Sequence, residues 1–127
     1  MDARIDPAAA FGIALGDAHV IRNAGGNARN ALRSILISQH LLGTREIVLV
    51  KHTGCGMLTF SNEDARAAIR ANGGKLKEGF DFQPFSELES AIRDDVCFLG
   101  GNDSLLEGVS ISGWIFNMVT GRVRKVI

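Results

Sequence analysis

Net charge, long apolar runs and cysteine are all scarce in this sequence, and each scarcity removes a class of protein. Fourteen Lys and Arg balance fourteen Asp and Glu, so no charge excess draws the chain to nucleic acid or to an anionic membrane. No apolar stretch approaches the ~20 residues that a spanning helix needs. The apolar patch from Ala8 to Leu15 follows Asp2, Asp6 and Pro7 instead of a basic segment, so a secretory leader is not expected. Two cysteines, Cys55 and Cys97, are too few for a disulfide framework, and a reducing, cytoplasmic setting is the expectation. The 127 residues suffice for one compact domain, 1–127, with no repeat, low-complexity tract or linker to divide it. The hydrophobic share of 46% is that of an ordinary globular protein with a packed core.

The organising stretch is Ile47-Val48-Leu49-Val50-Lys51-His52-Thr53-Gly54-Cys55-Gly56. Its four leading apolar residues predict a strand buried on both faces, as in a parallel sheet. Before it, Asp6-Pro7 predicts the start of a short helix to about Leu15, Ala18–Arg22 a strand, and Asn27–Leu42 the longest helix. That helix is apolar on several sides, through Ala28, Ala31, Leu32, Ile35, Leu36, Ile37, Leu41 and Leu42, and so requires cover by a neighbour or a second subunit. Gly43 closes it. After the central strand, Ser61-Asn62-Glu63-Asp64 and Ser86-Glu87-Leu88-Glu89 resemble capping boxes that open helices to about Ala71 and Leu99. Phe80 and Phe82 lie in the loop between and should tuck against the core. Val109–Phe116 alternates as a strand, and Thr120-Gly121 turns into a pairing segment, Val123–Ile127. The order predicts an α/β fold: a mostly parallel central sheet flanked by helices, with a C-terminal hairpin.

Ligands of open α/β sheets gather beyond the carboxyl ends of the strands, which is where His52 and Cys55 fall. An imidazole and a thiol in a His-x-x-Cys loop can converge on one tetrahedral zinc. The plainer alternative is a loop histidine beside a small buried thiol. Cys97, next to Val96 and Phe98, reads as core packing. His19 and His40 read as structural, and Trp114 as a core or interface residue. Arg22 and the loop Asn23-Ala24-Gly25 should border the pocket, the equal alternative being a tight strand-to-helix turn.

Three motifs in order resemble the β-class carbonic anhydrases: Asp2-Ala3-Arg4, then Arg22-Asn23-Ala24-Gly25, then His52-Thr53-Gly54-Cys55. Leu41–Arg45 and the closing Ser112-Gly113-Trp114-Ile115-Phe116 with Thr120-Gly121-Arg122 extend the resemblance along the chain. It implies a zinc cofactor held by His52 and Cys55, with Asp2 and Arg4 as the dyad beside it. In such a site Asp2 either binds the metal or pairs with Arg4, and a guanidinium is a well-matched partner for a carboxylate. The activity implied is that of a lyase, carbonate dehydratase: reversible hydration of CO2 to bicarbonate by a zinc-activated water. A homodimer or a multiple of dimers is implied as well.

The family pattern is Cys-x-Asp-x-Arg, and Met1 stands at its first variable position. The resemblance therefore places the first cysteine ligand, and the sheet-centre strand leading into it, immediately upstream. The expectation is a start lying further upstream; the competing reading is a lost ligand and strand. For the residues given, Asp2 would have to serve as the third ligand, and zinc binding, solubility and hydratase activity should all be impaired. Two alternatives stand beside the anhydrase: a non-catalytic remnant that folds only in an oligomer, and a hydrolase of CS2 or COS on the same scaffold.

Overall fold

The computed structural model describes all 127 residues. Strands Glu46–His52 (β1) and Ser110–Phe116 (β2) run parallel, with Leu49 opposite Gly113 and His52 opposite Phe116. Val123–Lys125 (β3) returns antiparallel to β2, giving the order β1-β2-β3. Helices Pro7–Phe11 (α1), Ala28–Leu42 (α2), Asn62–Ala71 (α3) and Leu88–Gly100 (α4) complete the α/β architecture. Ala28, Ala31 and Ile35 of α2, Ile92 and Leu99 of α4, Leu49 of β1 and Ile115 of β2 form one buried cluster. No helix is long and apolar enough to cross a membrane.

Local chemistry sets the helix ends. Asp6 caps α1 by accepting from the Ala8 N–H, and Gly12, at φ 65°, stops it at Phe11, short of the expected Leu15. The Asn27 side chain caps α2 and left-handed Gly43 closes it. Ser61 and Asp64 form the expected reciprocal capping box on α3. At α4 the cap is one residue later than expected. The Glu87 carboxylate, not Ser86, accepts from the N–H groups of Glu89 and Ser90.

Other expectations are corrected. Ala18–Arg22 forms no strand: these residues are exposed and make no backbone–backbone hydrogen bond. A strand persists only when its amides are paired, and between this stretch and β1 lies a cavity of about 160 Å³ lined by His19, Ile21, Glu46 and Val48. For the same reason β1 is not buried on both faces. Leu49 and Lys51 are buried, but Val48 is 56% exposed. Cys97 is exposed rather than packed in the core, because the buried stripe of α4 runs through Ile92, Asp95 and Leu99. Phe80 is half exposed and packs at a tilt against Phe82 instead of the core. β3 stops at Lys125, after which Val126 and Ile127 bond to Gly113.

An apolar residue exposed on an unpaired strand edge invites edge-to-edge pairing. Val48→Lys is expected to lower self-association at equal concentration with no loss of thermal stability, as read by light scattering beside a melt.

Candidate metal centre

At the carboxyl end of β1 the chain must reverse within three residues, and Gly54, at φ 64°, supplies the left-handed step. Thr53 pins the loop to the end of β2 and to the turn after it: its N–H donates to the Phe116 carbonyl, and the Met118 N–H donates to its Oγ1. Beyond Gly54, Cys55 is buried at 5% exposure, and its carbonyl accepts from the Leu58 N–H. His52 is largely buried, and its Nδ1 lies 3.0 Å from the Thr53 carbonyl. A carbonyl can only accept, so Nδ1 donates to it, and in the neutral ring Nε2 is then the nitrogen that presents a lone pair.

That lone pair faces the N-terminal dyad. Asp2 Oδ2 stands 3.6 Å from His52 Nε2. The same carboxylate takes two guanidinium bonds from Arg4, Nε to Oδ1 at 2.9 Å and Nη2 to Oδ2 at 2.6 Å. Those bonds, followed by one from the Arg4 backbone N–H, hold the Asp2 carboxyl well below the usual carboxylate range. Arg4 also reaches the Gly54 carbonyl at 3.4 Å, which ties the dyad to the His52–Cys55 loop. Arg22 fixes the dyad from behind, donating to the carbonyls of Asp2 and Ile5 at 2.6 and 2.8 Å. Asp2, Arg22, His52 and Cys55 thus line one cavity of about 940 Å³, whose apolar wall includes Phe11, Val50 and Trp114.

The donor chemistry suits zinc: an imidazole in the tautomer that frees Nε2, a buried thiol, and a carboxylate nearby. The arrangement stops short of a finished cage. No three His, Cys, Asp or Glu side chains form a group that could hold a metal ion, and Asp2 is in its Arg4-paired alternative. His40 lies apart from this chemistry, bonded to the Ser104 carbonyl, whereas His19 lines the same cavity with its Nδ1 held by Ser38.

Sequence reasoning missed Lys51 and Asp95. Their side chains are 2% and 8% exposed and stand 2.7 Å apart. The signal was there: a lysine ending the apolar run of β1, and an aspartate within the Ile92–Leu99 stripe of α4. A charge inside an apolar pattern needs a partner.

Residues 1–79 match the family model described as carbonic anhydrase. The chain is 39% identical over 127 residues to β-carbonic anhydrase 1 of Mycobacterium tuberculosis, covering 99% of itself and 77% of that protein. It is 30% identical to a carbon disulfide hydrolase of Acidithiobacillus thiooxidans, of which it covers 72%. Among solved structures, the carbonic anhydrase of Streptococcus mutans superposes with a TM-score of 0.94 at 41% identity, over 100% of this chain and 77% of that one.

Proposed function

The chain belongs to the β-class carbonic anhydrase family, and from that premise we propose a zinc-dependent enzyme for the reversible hydration of CO2 to bicarbonate. His52 and Cys55 are the metal-holding pair, Asp2 the carboxylate able to join them, and Arg4 the partner that draws Asp2 away. Zinc bound there supplies Lewis-acid activation of a water. The chain's own residues do the rest. The Thr53 carbonyl fixes the ring of His52 by accepting a hydrogen bond from its Nδ1, and Arg4 keeps the Asp2 carboxylate ionised as a hydrogen-bond acceptor. Phe11, Val50 and Trp114 give an apolar wall against which a small, uncharged, linear substrate can lie.

The observation that carries this reading is the two-point Asp2–Arg4 pair set 3.6 Å from the free nitrogen of His52. Two protein donors would make a weak zinc site, so low hydratase activity is proposed for these 127 residues alone. A third protein donor would complete the set. We also place the protein in a reducing, cytoplasmic compartment. As its working form we propose a homo-oligomer in which Ile37, Leu41 and Leu42, exposed along α2, meet a second copy.

The test is CO2 hydration by the zinc-supplemented chain and by a longer chain carrying a cysteine and an apolar strand upstream of Met1. The longer chain should hold one zinc and hydrate CO2, and its His52→Ala form should not. A folded, zinc-loaded longer chain inert on CO2 would overturn the proposal. Similarity to a carbon disulfide hydrolase favours CS2 as the second substrate reading, and turnover of CS2 without turnover of CO2 would select it.

A further inference from the structure

We propose that Lys51, braced by Asp95, is a positioning residue for the metal centre: it grips the Gly25-Gly26 turn that joins the dyad to the cysteine loop. This inference rests on reading His52 and Cys55 as the ligand pair. Lys51 follows the apolar run of β1, and its side chain passes to the opposite side of the strand from that of His52. Its ammonium has three N–H donors, and three acceptors meet it: the Gly25 carbonyl at 2.8 Å, the Gly26 carbonyl at 3.3 Å and Asp95 Oδ2 at 2.7 Å. The Phe85 ring lies 5.0 Å from the same nitrogen.

A buried ion pair by itself is weak evidence for stability, since apolar residues of equal volume often do as well. What an apolar pair could not do is hold two adjacent carbonyls. Gly25 and Gly26 both adopt left-handed backbone, at φ 70° and 56°, a conformation with little intrinsic preference to persist unless something fixes it.

The turn touches both halves of the site. A Cβ on Gly25 would sit 3.1 Å from Met57 Cγ and from Phe85 Cε1, so the turn lies directly on the residue two places beyond Cys55. The Phe85 N–H donates to the Met57 carbonyl and closes that contact. A Cβ on Gly26 would sit 2.6 Å from the Val50 carbonyl, so the turn is also pressed against the end of β1. Three residues before Gly25, Arg22 holds the carbonyls of Asp2 and Ile5. Loss of the ammonium would therefore loosen the Arg22 anchor and the packing behind Cys55 together, without touching a ligand.

The test compares the protein with Lys51→Met and with the double variant Lys51→Met/Asp95→Leu, which leaves no charge buried alone and so guards against simple misfolding. Two measurements are made. In the metal-free protein, NMR follows the Arg22 guanidinium and the His52 ring nitrogens. With cobalt(II) added, titration gives the affinity and the thiolate-to-cobalt absorption reports Cys55. The double variant should melt within a few degrees of the parent, yet lose the separate, slowed Arg22 resonances and bind cobalt at least tenfold more weakly. A double variant that is folded and unchanged in both readouts overturns the proposal. The two readings fail differently. A parent without thiolate-to-cobalt absorption sinks the ligand assignment, whereas altered Arg22 resonances in the metal-free variant still support the positioning role.

Discussion

Gly113→Ala is expected to destabilise the protein by about 3 kcal/mol, the upper end of the usual cost of overpacking a core. A methyl there would fall 2.2 Å from Ile92 Cγ2, 3.1 Å from Ile127 Cγ2 and 3.3 Å from Val96 Cγ2. The nearest of these neighbours cannot yield cheaply. Ile92 is 0% exposed at the centre of the core. Gly113 itself is locked in β2 between Leu49 and the chain end, exchanging hydrogen bonds with Val126 and Ile127. The relief available is for α4 to lift off the sheet, which would carry Asp95 away from Lys51. In a chain of this length 3 kcal/mol corresponds to a fall in Tm of roughly 10 °C. Gly100→Ala is the control: at the end of α4 it has nothing within 4 Å and no positive φ. It should leave Tm level or slightly raised. Urea unfolding of both variants decides, and a Gly113→Ala protein as stable as its parent would mean that α4 does not pack on β2 as described.

Cys55→Ser should weaken zinc binding by ~100-fold or more, while Cys97→Ser should leave it unchanged. Losing a residue that merely orients a ligand already costs about 10–100-fold in metal affinity, and here the proposed sulfur ligand itself is removed. Serine keeps the shape but offers a poor donor for a borderline-soft ion. Cys55 is buried in the cavity shared with His52 and Asp2, whereas Cys97 is exposed on α4. Competition with a chromophoric chelator measures both affinities. Equal losses in the two variants would show that zinc was adhering to free thiols generally.

Local caps and turns are easier to read from the sequence than the sheet is. Ser61 and Asp64 announce their helix because a capping box acts within four residues, and the reversal after His52 needs only Gly54. The expectation for Arg22 is a place at the pocket border, and its guanidinium reaches the carbonyls of Asp2 and Ile5. Where the outcome depended on distant partners, local pattern misled. Ala18–Arg22 has strand-like residues but no paired neighbour, and Val48 sits in an apolar run yet lies on an open edge. Cys97 has apolar flanks but points off the buried stripe of α4. Lys51 and Asp95 are 44 residues apart, so each looked like an isolated misplaced charge until the fold joined them. At α4 the pattern offered Ser86, but the longer Glu87 side chain took both free N–H groups.

The claim on which the function rests is that one metal ion is held jointly by the imidazole of His52 and the thiolate of Cys55. X-ray absorption at the zinc edge of the zinc-supplemented protein tests it most directly. A sulfur neighbour at ~2.3 Å together with an imidazole nitrogen at ~2.0–2.1 Å is the expected result, with the sulfur shell lost in Cys55→Ser. A shell of oxygen and nitrogen alone, with no sulfur, would contradict it.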